Sequence, residues 1–122
     1  MFNGTEIAEV YFNMTGYQQY EVCIDACLKC ASVCNYCASA CAKESDHTRS
    51  ECIQLCLECS SLCIAAAQIM ALGSLHIKEI ARICAIMCDA CADECGRHMD
   101  DHCRQAAEIC TSCADECEVV AR

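Results

Sequence analysis

Four stretches of the chain carry the same pattern, a small apolar side chain every third or fourth residue with polar residues between. In CIDACLKCASVCNYCASAC the repeating residues are Cys23, Cys27, Cys30, Cys34, Cys37 and Cys41. CIQLCLECSSLC continues with Cys52, Cys56, Cys59 and Cys63, and CAIMCDACADEC with Cys84, Cys88, Cys91 and Cys95. CRQAAEICTSCADEC supplies Cys103, Cys110, Cys113 and Cys117, and Ala106 occupies the position that keeps the rhythm. Steps of 3 and 4 place side chains on one face of an α-helix, with neighbouring Cβ atoms about 5–6 Å apart. Their alternation gives a period near 3.5, the seam of helices packed at a shallow angle. A strand needs steps of 2, so the pattern predicts an all-α fold.

Local signals set the expected boundaries. The four helices run over about 17–43, 47–72, 75–98 and 101–120. Ser45 or Asp46 is expected to cap the second, and Asp100 or Asp101 the fourth. Gly73 suits a left-handed C-terminal cap, and Ser74 the N-cap of the third helix. The third helix weakens at Gly96. Short loops favour antiparallel neighbours, so the topology expected is an up-down-up-down four-helix bundle with a Cys-lined core. Residues 3–14 suggest a short extra N-terminal helix with Ile7, Val10, Tyr11 and Met14 on one side. A length of 122 residues suits one domain with a single core.

Composition changes the picture of that core. The chain has 18 Cys, no Pro, four Gly and no Trp. One or two cysteines on a seam would be small hydrophobes. Eighteen in phase displace leucine and isoleucine from it, and such a core buries less apolar volume than an aliphatic one. A bound metal would supply the missing stabilisation. The N-terminal segment lacks a basic leader and an apolar run, so it does not read as a secretory signal. No uninterrupted apolar run reaches the length of a membrane span. The reading is a cytoplasmic chain whose thiols stay reduced, which favours metal binding over disulfides. A net charge of −10 argues against nucleic acid or anionic membrane as partner and leaves room for a basic metal-delivery protein.

Thiolates select soft ions: Cu(I), Zn(II) or iron–sulfur clusters. Many thiolates along an apolar axis repel one another, and uncompensated buried charge is costly. One Cu(I) per thiolate leaves such a core neutral, whereas Zn(II) held by four thiolates keeps two negative charges at each site. A CxxxC pair on one helix offers two sulfurs to a linear Cu(I). The usual iron–sulfur spacings are absent. Eighteen equivalent thiols single out no nucleophile, so an enzyme is not expected. The alternatives are a zinc or general soft-metal buffer, then an iron–sulfur electron carrier or thiol oxidoreductase.

From about residue 17 to 120, these stripes resemble the four-helix-bundle copper storage proteins. The stretch CDACADECGRHMDDHCRQAAEICTSCADEC carries the resemblance most specifically. It implies storage of multiple Cu(I) ions by the core cysteines, commonly in a homotetramer, and the absence of a leader resembles the cytosolic branch. Two departures leave the copper number open: Ala106 replaces a cysteine, and the second helix has none after Cys63.

The two ends of the bundle read differently. The spacing 95, 98, 102 keeps the rhythm, so His98 and His102 are expected at a channel mouth beside Cys41, Cys52, Cys95 and Cys103, as further metal ligands. His47 and His76 read as solvated. At the opposite end Ala66, Met70, Ile77 and Ala81 continue the stripes without sulfur ligands, near Tyr20 and Val120, and close the channel. Leu55, Leu62 and Ile69, with Ile80, Ile83 and Met87, flank the stripes and either widen the core or meet a second copy.

Overall fold

The computed structural model describes residues 4–44 and 47–122, with side chains from Tyr17 onward. It contains α1 (Gly4–Ala42), a 3₁₀ turn (His47–Arg49), α2 (Ser50–Ala71), α3 (Ile77–Cys95) and α4 (Asp101–Ala121). Each helix packs against its neighbours in chain order, and α1 also packs against α4. The result is the antiparallel up-down-up-down four-helix bundle.

The first helix differs from expectation. Residues 3–14 do not form a separate element, because one helix runs unbroken from Gly4 to Ala42. Nothing between 13 and 17 forces a stop. Gly16 costs a helix only about 1 kcal/mol, and there is no proline to remove a backbone donor. The side chains of Ile7, Val10, Tyr11 and Met14 lie outside the described residues.

The turns refine the other boundaries. Ser45 and Asp46 lie outside the described residues, and Arg49, the last residue of the 3₁₀ turn, is the N-cap of α2. Gly73 has φ +67°, with Gly73 N donating to Met70 O and Ser74 N to Ile69 O. That pair of bonds satisfies carbonyls at the end of α2 in the Schellman arrangement. Ser74 is not the N-cap of α3: its Oγ accepts from His76 N at 3.0 Å, and α3 begins at Ile77. The hydroxyl is used by a local turn and is unavailable to a helix start. At its other end α3 stops at Cys95, where Arg97 N and His98 N each donate to a carbonyl three residues back. The stripe therefore does not continue in one helix through His98 to His102; His102 belongs to the first turn of α4.

The core runs along the bundle axis and contains all 18 cysteines, each buried. Ala66, Met70, Ile77 and Ala81 fill the end away from His98, with Tyr20 and Val120 packed beside them. Leu55, Leu62, Ile69, Ile80 and Met87 are half-buried against the core, while Ile83 faces outward. Residues 47–71 are long and apolar enough by composition to span a bilayer. Much of that apolar character is cysteine and alanine turned into the bundle, including Cys52, Cys56, Cys59, Cys63, Ala66 and Ala67.

Candidate metal centre

Helical periodicity points one sulfur inward on nearly every turn, and bundle packing brings the four rows into contact. Some short sulfur–sulfur approaches lie within one helix, such as Cys30–Cys34 at 4.0 Å, Cys59–Cys63 at 3.9 Å and Cys91–Cys95 at 3.9 Å. Shorter ones cross between helices: Cys34–Cys110 and Cys52–Cys95 at 3.5 Å, and Cys63–Cys84 and Cys41–Cys103 at 3.7 Å. Intrahelical CxxxC pairs are thus only part of the network.

The approaches form a column. At the end away from His98, Cys117 lies 3.8 Å from both Cys23 and Cys27. Cys113 lies 3.8 Å from Cys27 and 4.0 Å from Cys63, and Cys88 lies 3.7 Å from Cys59. Further along, Cys56 is 3.8 Å from Cys91 and 3.7 Å from Cys95, and Cys37 is 3.9 Å from Cys103. Several quartets have all sulfurs within 4.8 Å of one another, among them Cys27/Cys84/Cys113/Cys117, Cys30/Cys63/Cys88/Cys113 and Cys30/Cys34/Cys59/Cys110. Two more are Cys37/Cys41/Cys52/Cys103 and Cys37/Cys52/Cys56/Cys95. Cys30, Cys37, Cys52 and Cys113 each belong to two of these quartets, so the quartets are not independent chelates.

Burial favours the protonated form of two sulfurs at the His98 end, Cys41 and Cys103. The Cys41 thiol is pushed from 9.0 up to about 12, chiefly by loss of water around it. Cys103 is raised as well, by burial first and then by the charge of Cys37. No Lys or Arg is buried among them in the described residues. A cation that displaces the protons supplies charge that compensates the thiolates.

Four buried sulfur rows, phased along one axis, are matched by a family model described as copper storage protein over residues 16–122. The chain belongs to the copper storage protein family. The uncharacterized cysteine-rich protein YhjQ of Bacillus subtilis (strain 168) is 43% identical over 89 residues, 71% of this chain and 82% of its own length. The Cu(I)-bound structure of copper storage protein 3 from Bacillus subtilis is 42% identical, with a TM-score of 0.82 over 84% of this chain and 98% of that one. A cytosolic copper storage protein from Streptomyces lividans, loaded with five coppers, is 33% identical with a TM-score of 0.83, covering 88% and 95%.

At the end of the bundle that carries His98 and His102 the structure adds groups that the stripes did not reveal. His98 Nε2 lies 2.7 Å from Glu94 Oε2, and His102 Nε2 lies 3.2 Å from Glu44 Oε1. Both rings are largely buried, at 13% and 15% exposed. The His102 contact is off the line of a hydrogen bond, and its Nε2 has no hydrogen-bond partner among the described residues. Asp100 accepts from Arg49 at 2.8–2.9 Å and lies 3.9 Å from Cys103 Sγ. Among the described residues neither His98 nor His102 is hydrogen-bonded to a sulfur. His47 and His76 are exposed.

Proposed function

We propose that this protein stores Cu(I) at high capacity, with the 18 core cysteines as ligands and His98 and His102 as ligands at the mouth. The observation that carries the reading is the shared membership of the sulfur quartets. Isolated tetrahedral Zn(II) sites each need four thiolates of their own. A sulfur common to two groups instead suits bridging between monovalent ions, and one Cu(I) per thiolate leaves the buried column neutral. The protein acts as a store and not as an enzyme, since the sulfurs are equivalent and no one thiol is set apart beside a base.

By analogy with the Streptomyces lividans relative, described as cytosolic, the chain works in the cytoplasm. The family resemblance supports a homotetramer, and exposed Leu57, Ile64, Ile83 and Ile86 provide apolar surface for a second copy. The acidic chain suits a basic protein that delivers or receives copper.

Anaerobic titration of the reduced protein with Cu(I) against a competing chelator tests the proposal. Saturation at about 15–20 ions supports storage on the neutral-core count. Saturation near four points to tetrahedral sites and a zinc buffer, and visible charge-transfer bands after iron reconstitution favour an iron–sulfur carrier. The mouth is tested separately: replacing His98 and His102 by Ala should slow both uptake and chelator-driven removal. Unchanged rates would remove the histidines from the copper path.

A further inference from the structure

Glu94 is the one acidic side chain buried among the described residues, only 8% exposed, beside Cys95 at the last turn of α3. A carboxylate is rarely buried without a partner that offsets its lost hydration. Its partners are specific. Oε2 meets His98 Nε2 at 2.7 Å, and Oε1 meets the largely exposed Arg97 guanidinium at 3.3 Å. An ionised carboxylate only accepts hydrogen bonds, so in a pair of Glu94 carboxylate and neutral His98 ring it is Nε2 that carries the proton. Nδ1 then holds the ring's free lone pair, and no described residue hydrogen-bonds to it.

We propose that Glu94 is a positioning residue of the copper mouth: it fixes His98 as the Nε2–H tautomer and leaves Nδ1 as the nitrogen that ligates Cu(I). This rests on the reading that His98 lies on the copper path. The logic is that of metal-site histidines generally, whose second ring nitrogen donates to a carboxylate that sets tautomer and ring orientation. Here Glu94 is in the last turn of α3 and His98 in the turn that follows it, so the ring is oriented from the helix end just before it. His102 is held differently: its Nε2 faces Glu44 and Asp100 at 3.2 and 3.9 Å without a hydrogen bond. The two mouth histidines are therefore not equivalent, and only His98 has a fixed tautomer.

The chain has four histidines, so long-range ¹H–¹⁵N spectra of histidine-labelled protein resolve each ring, with His98→Ala assigning one. His98 should show a protonated Nε2 and a bare Nδ1. Cu(I) should shift Nδ1 and leave the Nε2–H in place. Glu94→Leu should produce a tautomer mixture and slow copper loading roughly tenfold, as His98→Ala does, with no further loss in the double variant. Glu94→Gln keeps an acceptor and should restore both the tautomer and loading to within about threefold. A Cu(I)-induced shift at Nε2, or a Glu94→Leu spectrum unchanged at His98, overturns the proposal. If His98→Ala slows loading but Glu94→Leu does not, the mouth reading stands and the positioning role alone falls. If His98→Ala loads at the wild-type rate, both fall.

Discussion

At position 106 a methyl group stands where the rhythm of α4 asks for a thiol. Ala106 is fully buried between the turns that carry Cys103 and Cys110. Ala106→Cys should add a sulfur to the column and raise Cu(I) capacity by about one ion, since each thiolate balances one monovalent charge. The extra atom crowds a packed core, so the apo-protein should lose about 1 kcal/mol in chemical denaturation. A titration endpoint unchanged by the substitution would mean that this level of the column holds no copper. Single residues also mark how far sequence reasoning reaches. The 18 cysteines announce their inward face by spacing alone, because the helical period fixes side-chain direction. Glu94, Glu44, Arg49 and Asp100 do not, because their partners are set by how the helix ends approach. A charged residue in a solvated stretch has the same local sequence whether or not it meets a histidine.

At the scale of helices and turns, the interiors of the elements were legible and the ends less so. The rows of sulfur specify which faces converge, but the stop at Cys95 depends on backbone bonds that tighten around Gly96. Ser74 departs from the expected N-cap role for a similar reason: its hydroxyl has two competing uses, and the local turn prevails. Gly73 was read correctly because a left-handed cap needs a residue without Cβ. An added Cβ there meets nothing within 4 Å, so Gly73→Ala should cost only the conformational penalty, about 1–2 kcal/mol, seen as a lowered Tm with copper capacity unchanged. Arg49 ties the turn before α2 to Asp100 in the α3–α4 loop, and also lies 3.9 Å from Glu44. Arg49→Ala should leave the two carboxylates facing each other without a cation. Chelator-driven copper removal should then quicken and Tm should fall, whereas an unchanged removal rate would make the clamp irrelevant to the mouth.

For the whole molecule, protons and copper compete for the same sulfurs. Cys41 keeps its proton in the folded chain up to about pH 12, while in the unfolded chain it ionises near pH 9. Between those values the unfolded state binds fewer protons, so the apo-protein should lose stability as pH rises through that window. The copper-loaded protein should behave oppositely. Its thiolates have already released their protons, and its stability over the apo form should grow as pH rises toward 9 and acid no longer competes. Denaturant midpoints of both forms across pH 6–11 check the two slopes, and parallel curves would contradict the proton–copper exchange.

The sulfurs common to adjoining quartets have a consequence for movement within the column. Cys113 joins one group to the next, Cys30 carries the series onward, and Cys37 and Cys52 join the pair nearest the mouth. An ion can change neighbours by exchanging one sulfur at a time, always keeping another, as in a bucket brigade. Internal migration should then be much faster than escape, and the molecule should keep no memory of the order in which its cargo arrived. If ⁶⁵Cu(I) is loaded first and ⁶³Cu(I) second, the earliest ions withdrawn should carry the average isotope ratio of the whole store.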